Sequence, residues 1–169
     1  MSTTSKHVHR YQARCSWKGT TGAGYEKYDR THVASALPAS ATLTLSADSA
    51  FRGEASRLNP EQLVIIAASS CQLLSFLAIA ARTGMDILEY EDEAEAEMPE
   101  DDLPVRITRI RLKPRILVSP NTNQERIRQL VELAHNECYI ANSLKCQVSV
   151  EPVIEVRRQG DEAPGPQSK

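Results

Sequence analysis

The chain lacks a CxxC pair, and no paired Cys/His spacing marks a zinc site. It lacks an apolar leader: MSTTSKHVHRYQ, at the start, has none of the hydrophobic run of a signal peptide. It lacks an excess of charge of one sign. Twenty Lys and Arg stand against 22 Asp and Glu, and a net charge of −2 implies no nucleic-acid partner. It lacks an internal repeat. Its one GxG, at Gly22 to Gly24, has neither the Lys-Ser/Thr ending nor the following helix of a phosphate loop, and reads as a hairpin turn. These absences place the expectation in a reducing cytoplasm. There Cys15, Cys71, Cys138 and Cys146 are buried, catalytic or redox-sensing rather than structural disulfides.

What is present is a chain of 169 residues, 41% hydrophobic, enough for one domain with a core. Residues 1–157 read as that domain, and the Gly- and Pro-containing polar stretch 158–169 as a disordered tail. HRYQARCSWKG, a stretch around Tyr25 to Ala34, and ATLTLSA read as three strands. A long helix then starts at Asn59 as N-cap, with Pro60 at its first position and Glu61 in its first turn, and stops at Gly84. Leu63 to Ala81 is long enough to span a bilayer, but Ser69, Ser70, Gln72 and Ser75 interrupt it and no aromatic belt frames it. It reads instead as a helix buried all round, with no membrane partner.

Next, Glu89, Glu91, Glu93, Glu95 and Glu97 alternate along one strand, and Arg106, Arg109, Arg111 and Lys113 lie along a second after a turn at Pro99 to Pro104. Glutamate is a poor strand former, and a helix competes for the acidic stretch; the alternation favours antiparallel strands with opposite charges facing. The apolar positions slip from Val105 and Ile107 to Ile110 and Leu112, which predicts a bulge near Arg109. SPNTNQERIRQLVELAHNE is a second helix with Ile127, Leu130, Val131 and Ala134 on one stripe. CQVSVEPVIEVRR is a closing strand. The order β-β-β-α-β-β-α-β predicts an α+β fold.

Cys71 is in the middle of the first helix, and Cys138, eleven residues after Ile127, continues the apolar stripe of the second. Two packed helices bring these thiols together. Free cysteine is often only a small buried hydrophobe, and Cys15 and Cys146 keep that reading. Burial in mid-helix raises a thiol's pKa, so a reactive Cys71 calls for a cation from elsewhere in the fold. Glu61 is ten residues earlier, roughly 15 Å along the axis. At that distance the glutamate serving Cys71 comes more easily from a second subunit, where it would anchor an arginine.

RLNPEQLVIIAASSCQLL is similar to the NPE(E/Q)L…C helix of the OsmC/Ohr family, the osmotically inducible and organic hydroperoxide resistance proteins. SADSAFRGEASRLNPEQL resembles an OsmC-like subgroup, SWKGTTGAGYEKYDRTH resembles the family's N-terminal hairpin, and AHNECYIANSL stands where the second cysteine falls. The resemblance covers roughly His9 to Val156 and implies an intertwined α+β homodimer, its central helices wrapped by antiparallel sheets. It implies a cysteine-based peroxidase reducing organic hydroperoxides, as in an oxidative stress response. Cys71 matches the peroxidatic cysteine, Cys138 the resolving one, and Glu61 the glutamate that holds the activating arginine. Arg30 is the nearest match for that arginine, with Arg52 and Arg57 as rivals. No cofactor or metal is implied; the reductant is an external dithiol such as a lipoylated protein. Two departures stand out: Tyr139 and Ile140 follow the second cysteine in place of the usual proline, and Gln72 follows the first. They favour an alternative, a non-enzymatic redox sensor or apolar small-ligand carrier on the same dimer.

Overall fold

Asparagine and glutamine three residues apart begin the longest element. The Asn59 side chain accepts from the Gln62 amide at 2.8 Å, and the Gln62 side chain accepts from the Asn59 amide at 3.1 Å. This reciprocal capping box satisfies two donors that a helix start otherwise leaves free. Helix α1 runs over Pro60–Arg82, and Gly84 ends the turn after it at φ +71°, a conformation glycine adopts without strain. The computed structural model describes residues 8–158 and divides into two compact units, Met1–Leu63 and Val64–Lys169. The polar stretch expected as a tail, apart from Arg158, lies outside the described residues.

The first unit carries an antiparallel meander, β1 (Arg14–Ser16), β2 (His32–Ser35) and β3 (Thr42–Leu45). All three strands are shorter than the sequence suggests. Residues Tyr25 to Tyr28, expected within the second strand, form turns, because the carbonyls of Tyr25 and Tyr28 are bonded by the Arg30 guanidinium and not by a neighbouring strand. A 3-10 turn over Ser49–Phe51 follows, capped by Asp48.

The second unit holds the rest of α1 and two three-stranded sheets. One has the order β4-β7-β9, built from Ile87–Asp92, Pro114–Val118 and Val153–Val156; the other has the order β5-β6-β8, built from Glu95–Glu97, Arg109–Leu112 and Gln147–Val150. The acidic and basic segments pair antiparallel as expected, with Glu91 opposite Arg115, Glu95 opposite Arg111 and Glu97 opposite Arg109. Each splits into two strands, however. At the split the Asp92 carboxylate accepts the Lys113 amide at 2.7 Å, taking the place of a ladder bond.

The expected bulge near Arg109 is not there. Strand β6 begins at Arg109, so Val105 and Ile107 precede it, and Ile110, Leu112, Pro114, Ile116 and Val118 keep one unbroken buried alternation. The register shift falls instead in β4, between Ile87 and Glu89. The single closing strand is two, β8 and β9, separated at Glu151 and Pro152, and each runs parallel to its neighbour. Proline lacks the amide needed to continue the ladder.

Helix α2 (Gln124–Asn136) buries Ile127, Leu130, Val131 and Ala134 against Phe76, Ile79, Ile116 and Val118. A smaller cluster gathers Ala68, Ile110 and Leu112. A helix the sequence reading missed, α3 (Tyr139–Ser143), follows directly. Helix α1 is not buried all round: 28% of its most apolar window is buried, and Ile66, Leu74 and Leu77 face outward. By length and composition α1 is apolar enough to cross a membrane.

Candidate functional site

Cys138 does not extend α2. That helix closes at Asn136, and Cys138 is the N-cap residue of α3. Its side chain is fully buried, while Cys71 on α1 is half-buried. The fold brings the two close enough to act on each other: Cys138 acts to lower the Cys71 thiol, and Cys71 to raise that of Cys138. Cys71 opens onto a cavity of about 510 Å³ in the second unit, shared with Leu74, Ser75, Arg82, Tyr139 and Ile140.

The two thiols are driven apart electrostatically. Burial acts to raise the Cys71 thiol. Against it act the backbone N–H of Ile140, the Cys138 thiol, the backbone N–H of Tyr139 and the Ser75 hydroxyl, and together they hold Cys71 below its ordinary value. Burial also raises Cys138, and neighbouring Cys71 raises it further, so that the amides of Ala141 and Ile140 do not bring it back. Hydrogen bonds to a thiolate favour it, and a second thiolate alongside is disfavoured. Of the two, Cys71 is the thiol whose surroundings favour the charged form and Cys138 the one whose surroundings disfavour it. The groups that lower Cys71 include main-chain amides, which the sequence reading did not name. They were not legible there because every residue type but proline carries one. Ser75, one helical turn from Cys71, was the legible part of the set.

Gln72, beside Cys71, is fully buried. Its Nε2 donates to the Val131 carbonyl of α2 at 3.1 Å, and its Oε1 has no partner among the described residues. On β4, Asp92 accepts from the Ser69 hydroxyl at 2.6 Å, and the Tyr90 ring lies 5.9 Å from that of Phe76. The Tyr90 hydroxyl is buried and has no hydrogen-bond partner among the described residues.

Arg30 and Glu61, the other predicted site residues, line a cavity of about 590 Å³ in the first unit. In a chain with one tryptophan, five tyrosines and two phenylalanines, four of these rings, Trp17, Tyr25, Tyr28 and Phe51, line this cavity. The Arg30 guanidinium lies 4.0 Å from the Tyr28 ring centre and 4.7 Å from that of Tyr25. Its Nη1 donates to the Tyr28 carbonyl at 3.0 Å and its Nη2 to the Tyr25 carbonyl at 2.8 Å. Of its rivals, Arg52 pairs with Glu26 and Arg57 with Glu54.

A family model described as OsmC-like protein matches residues 53–153, which include α1, both thiols and every strand of the two sheets but β9. The chain belongs to the OsmC-like family. Solved structures agree. An OsmC-like protein of unknown function from Vibrio cholerae superposes with a TM-score of 0.78 at 24% identity, covering 86% of this chain and 100% of that one. An organic hydroperoxide resistance protein OsmC from Legionella pneumophila gives 0.65 at 18% identity, over 89% of this chain and 100% of that one. An organic hydroperoxide resistance protein from Elizabethkingia anophelis gives 0.66 at 15%, over 90% and 100%. No curated protein matches the chain. At these identities the likeness establishes the OsmC-like α+β fold.

Proposed function

We propose that this OsmC-like protein is a thiol peroxidase for organic hydroperoxides. The observation that carries the reading is the paired thiols, with Cys71 lowered and Cys138 raised. The Cys71 thiolate attacks the terminal peroxide oxygen. The O–O bond breaks, the alkoxide takes a proton and leaves as the alcohol, and Cys71 becomes a sulfenic acid. Cys138 then attacks the Cys71 sulfur. An S–S bond forms, the S–O bond breaks, and water departs with the Cys138 proton. An external dithiol, such as a lipoylated protein, reduces the disulfide and is itself oxidised. The cytoplasm suits such a reductant.

The functional unit in this reading is a homodimer. The outward Ile66, Leu74 and Leu77 of α1 support it, because burying an apolar helix face is strongly favourable. The partner subunit's Arg30 and Glu61 then complete the site over Cys71. The test is mass spectrometry after one equivalent of cumene hydroperoxide. The expected result is a loss of two hydrogens mapped to Cys71 and Cys138 and restored by dithiothreitol. An unchanged mass sinks the reading.

One observation favours a second reading, an apolar small-ligand carrier: the ring-lined cavity of the first unit. It predicts a ligand that copurifies, seen by native mass spectrometry. Steady multiple turnover with a dithiol eliminates it.

A further inference from the structure

Among the described residues Arg30 pairs with no carboxylate, whereas Arg52 and Arg57 each hold one. Its place is fixed by other means. Two of its N–H groups go to the carbonyls of Tyr28 and Tyr25, and the guanidinium lies on both rings. The main chain of Arg30 is held on either side as well. On its carboxyl side, His32 Nδ1 donates to the Arg30 carbonyl at 3.0 Å. On its amino side, Trp17 Nε1 donates to the Asp29 carbonyl at 2.7 Å, and that carbonyl belongs to the peptide bond joining Asp29 to Arg30. The Asp29 carboxylate accepts the Thr31 amide at 2.8 Å and closes a tight turn over Arg30. The Trp17 indole also stands edge-on to the Tyr28 ring, with 6.4 Å between centres at 88°. Tyr28 is the nearer of the two rings under the guanidinium. Trp17 follows β1 and Arg30 precedes β2, so the pairing of Ser16 with Val33 brings them to the same end of the hairpin. Gly19 leaves room for the indole: a Cβ at that position would lie 2.7 Å from Trp17 Cζ2.

We propose that Trp17 is a positioning residue for Arg30. Its N–H fixes the peptide ahead of Arg30, and its edge fixes the ring on which the guanidinium rests. This deepens the peroxidase reading, and its consequence for turnover rests on that reading. Arginine has five N–H donors, and the two carbonyls use two of them. Arg30 lines the first unit's cavity, and the donors left over are the ones a ligand oxygen can meet there. A long side chain loses rotamer freedom when it grips a ligand, and a frame that has already fixed it lowers that cost. Trp17 transfers nothing and acts through Arg30.

The test is Trp17→Phe, which keeps a ring and removes the N–H. Gly19→Ala is the second variant: its methyl displaces the indole from outside the cavity lining. Calorimetric binding of cumyl alcohol, the product of cumene hydroperoxide, reads the cavity without any thiol chemistry. Steady-state kinetics with cumene hydroperoxide then separate KM from kcat. Losing one hydrogen bond and loosening one edge-to-face ring pair should weaken alcohol binding and raise KM about fivefold. The loss should fall on KM and not on kcat. Both variants are then repeated in an Arg30→Lys background. A residue that acts through Arg30 has little left to act on there, so the further loss should be less than about twofold. Unchanged binding in both variants overturns the proposal, because Arg30 is then held without Trp17. A loss of about fivefold that persists in Arg30→Lys overturns it too, since the indole is then only a wall of the cavity. An equal fall in kcat does the same, as the mark of a packing defect. A wild-type protein that consumes no peroxide overturns the peroxidase reading instead, and alcohol binding still decides the role of Trp17.

Discussion

The cavities of the two units are alike in size, about 590 and 510 Å³, and differ in their walls. The first is walled by rings, with a guanidinium stacked on two of them and held by two carbonyls. The second is lined mostly by small and aliphatic side chains, with Arg82, Glu137 and Tyr139 among them, around a thiol that amides of its own unit act to lower. If the peroxidase reading holds, preparing the nucleophile and receiving an apolar molecule fall to different cavities. Substitutions in the second unit should act on the chemical step, and those in the first on substrate capture.

The largest effect expected is from Cys71→Ser, which should reduce peroxide consumption to background. Retained turnover would break the assignment of chemistry to the second unit. Cys138→Ser comes next. It should consume one equivalent and then stall, with Cys71 trapped as sulfenic acid or advancing to sulfinic acid at excess peroxide. Electrospray masses distinguish these products. Continued turnover by Cys138→Ser with dithiothreitol would mean that the external dithiol resolves Cys71 directly.

Local chemistry was the legible part of this molecule. Asn59, Pro60 and Gly84 fixed the ends of α1 because a capping side chain and a glycine at positive φ act within a few residues. The glutamates from Glu91 to Glu97 and their arginine partners were legible because strand pairing places opposite charges across from each other. Partner choice was not. Period-two alternation identifies Val148 and Ile154 as strand residues but says nothing of the parallel neighbours they meet. The thiol pair was legible as two cysteines brought together by packed helices, although Cys138 caps α3 and does not continue the stripe of α2; the resemblance gave them roles. The short helix α3 was hidden because its five residues are too few to show a period. With it went the amides of Tyr139 and Ile140, which set the Cys71 thiol.

Those amides give a sharper test. Tyr139→Pro installs the residue usual in the family at this position and removes one of the donors to Cys71. Proline is well suited to the first position of a helix, so α3 should survive. The Cys71 thiol should titrate at higher pH, and at a pH below its titration the peroxide rate should fall severalfold. The sign follows from the thiolate being the nucleophile: the rate rises with pH through the Cys71 titration, and losing a donor moves that rise to higher pH. Labelling with iodoacetamide across a pH series measures it. An unmoved titration means that the Ile140 amide and the Cys138 thiol suffice.

The smallest effect is expected from Arg30→Lys, and it bears most directly on the comparison. Lysine keeps the charge but not the planar fork, so it loses the stacking on Tyr25 and Tyr28 and at least one of the two carbonyl bonds. If the first unit receives the substrate and the second prepares the thiol, KM for cumene hydroperoxide should rise severalfold, within about tenfold, while the Cys71 titration stays in place. A bulky aromatic peroxide should suffer more than tert-butyl hydroperoxide, because the walls that lose order are rings. A Cys71 titration displaced upward as far as in Tyr139→Pro would reverse the assignment. The guanidinium of the first unit would then be activating the nucleophile, and the amides at Tyr139 and Ile140 would only be aligning it.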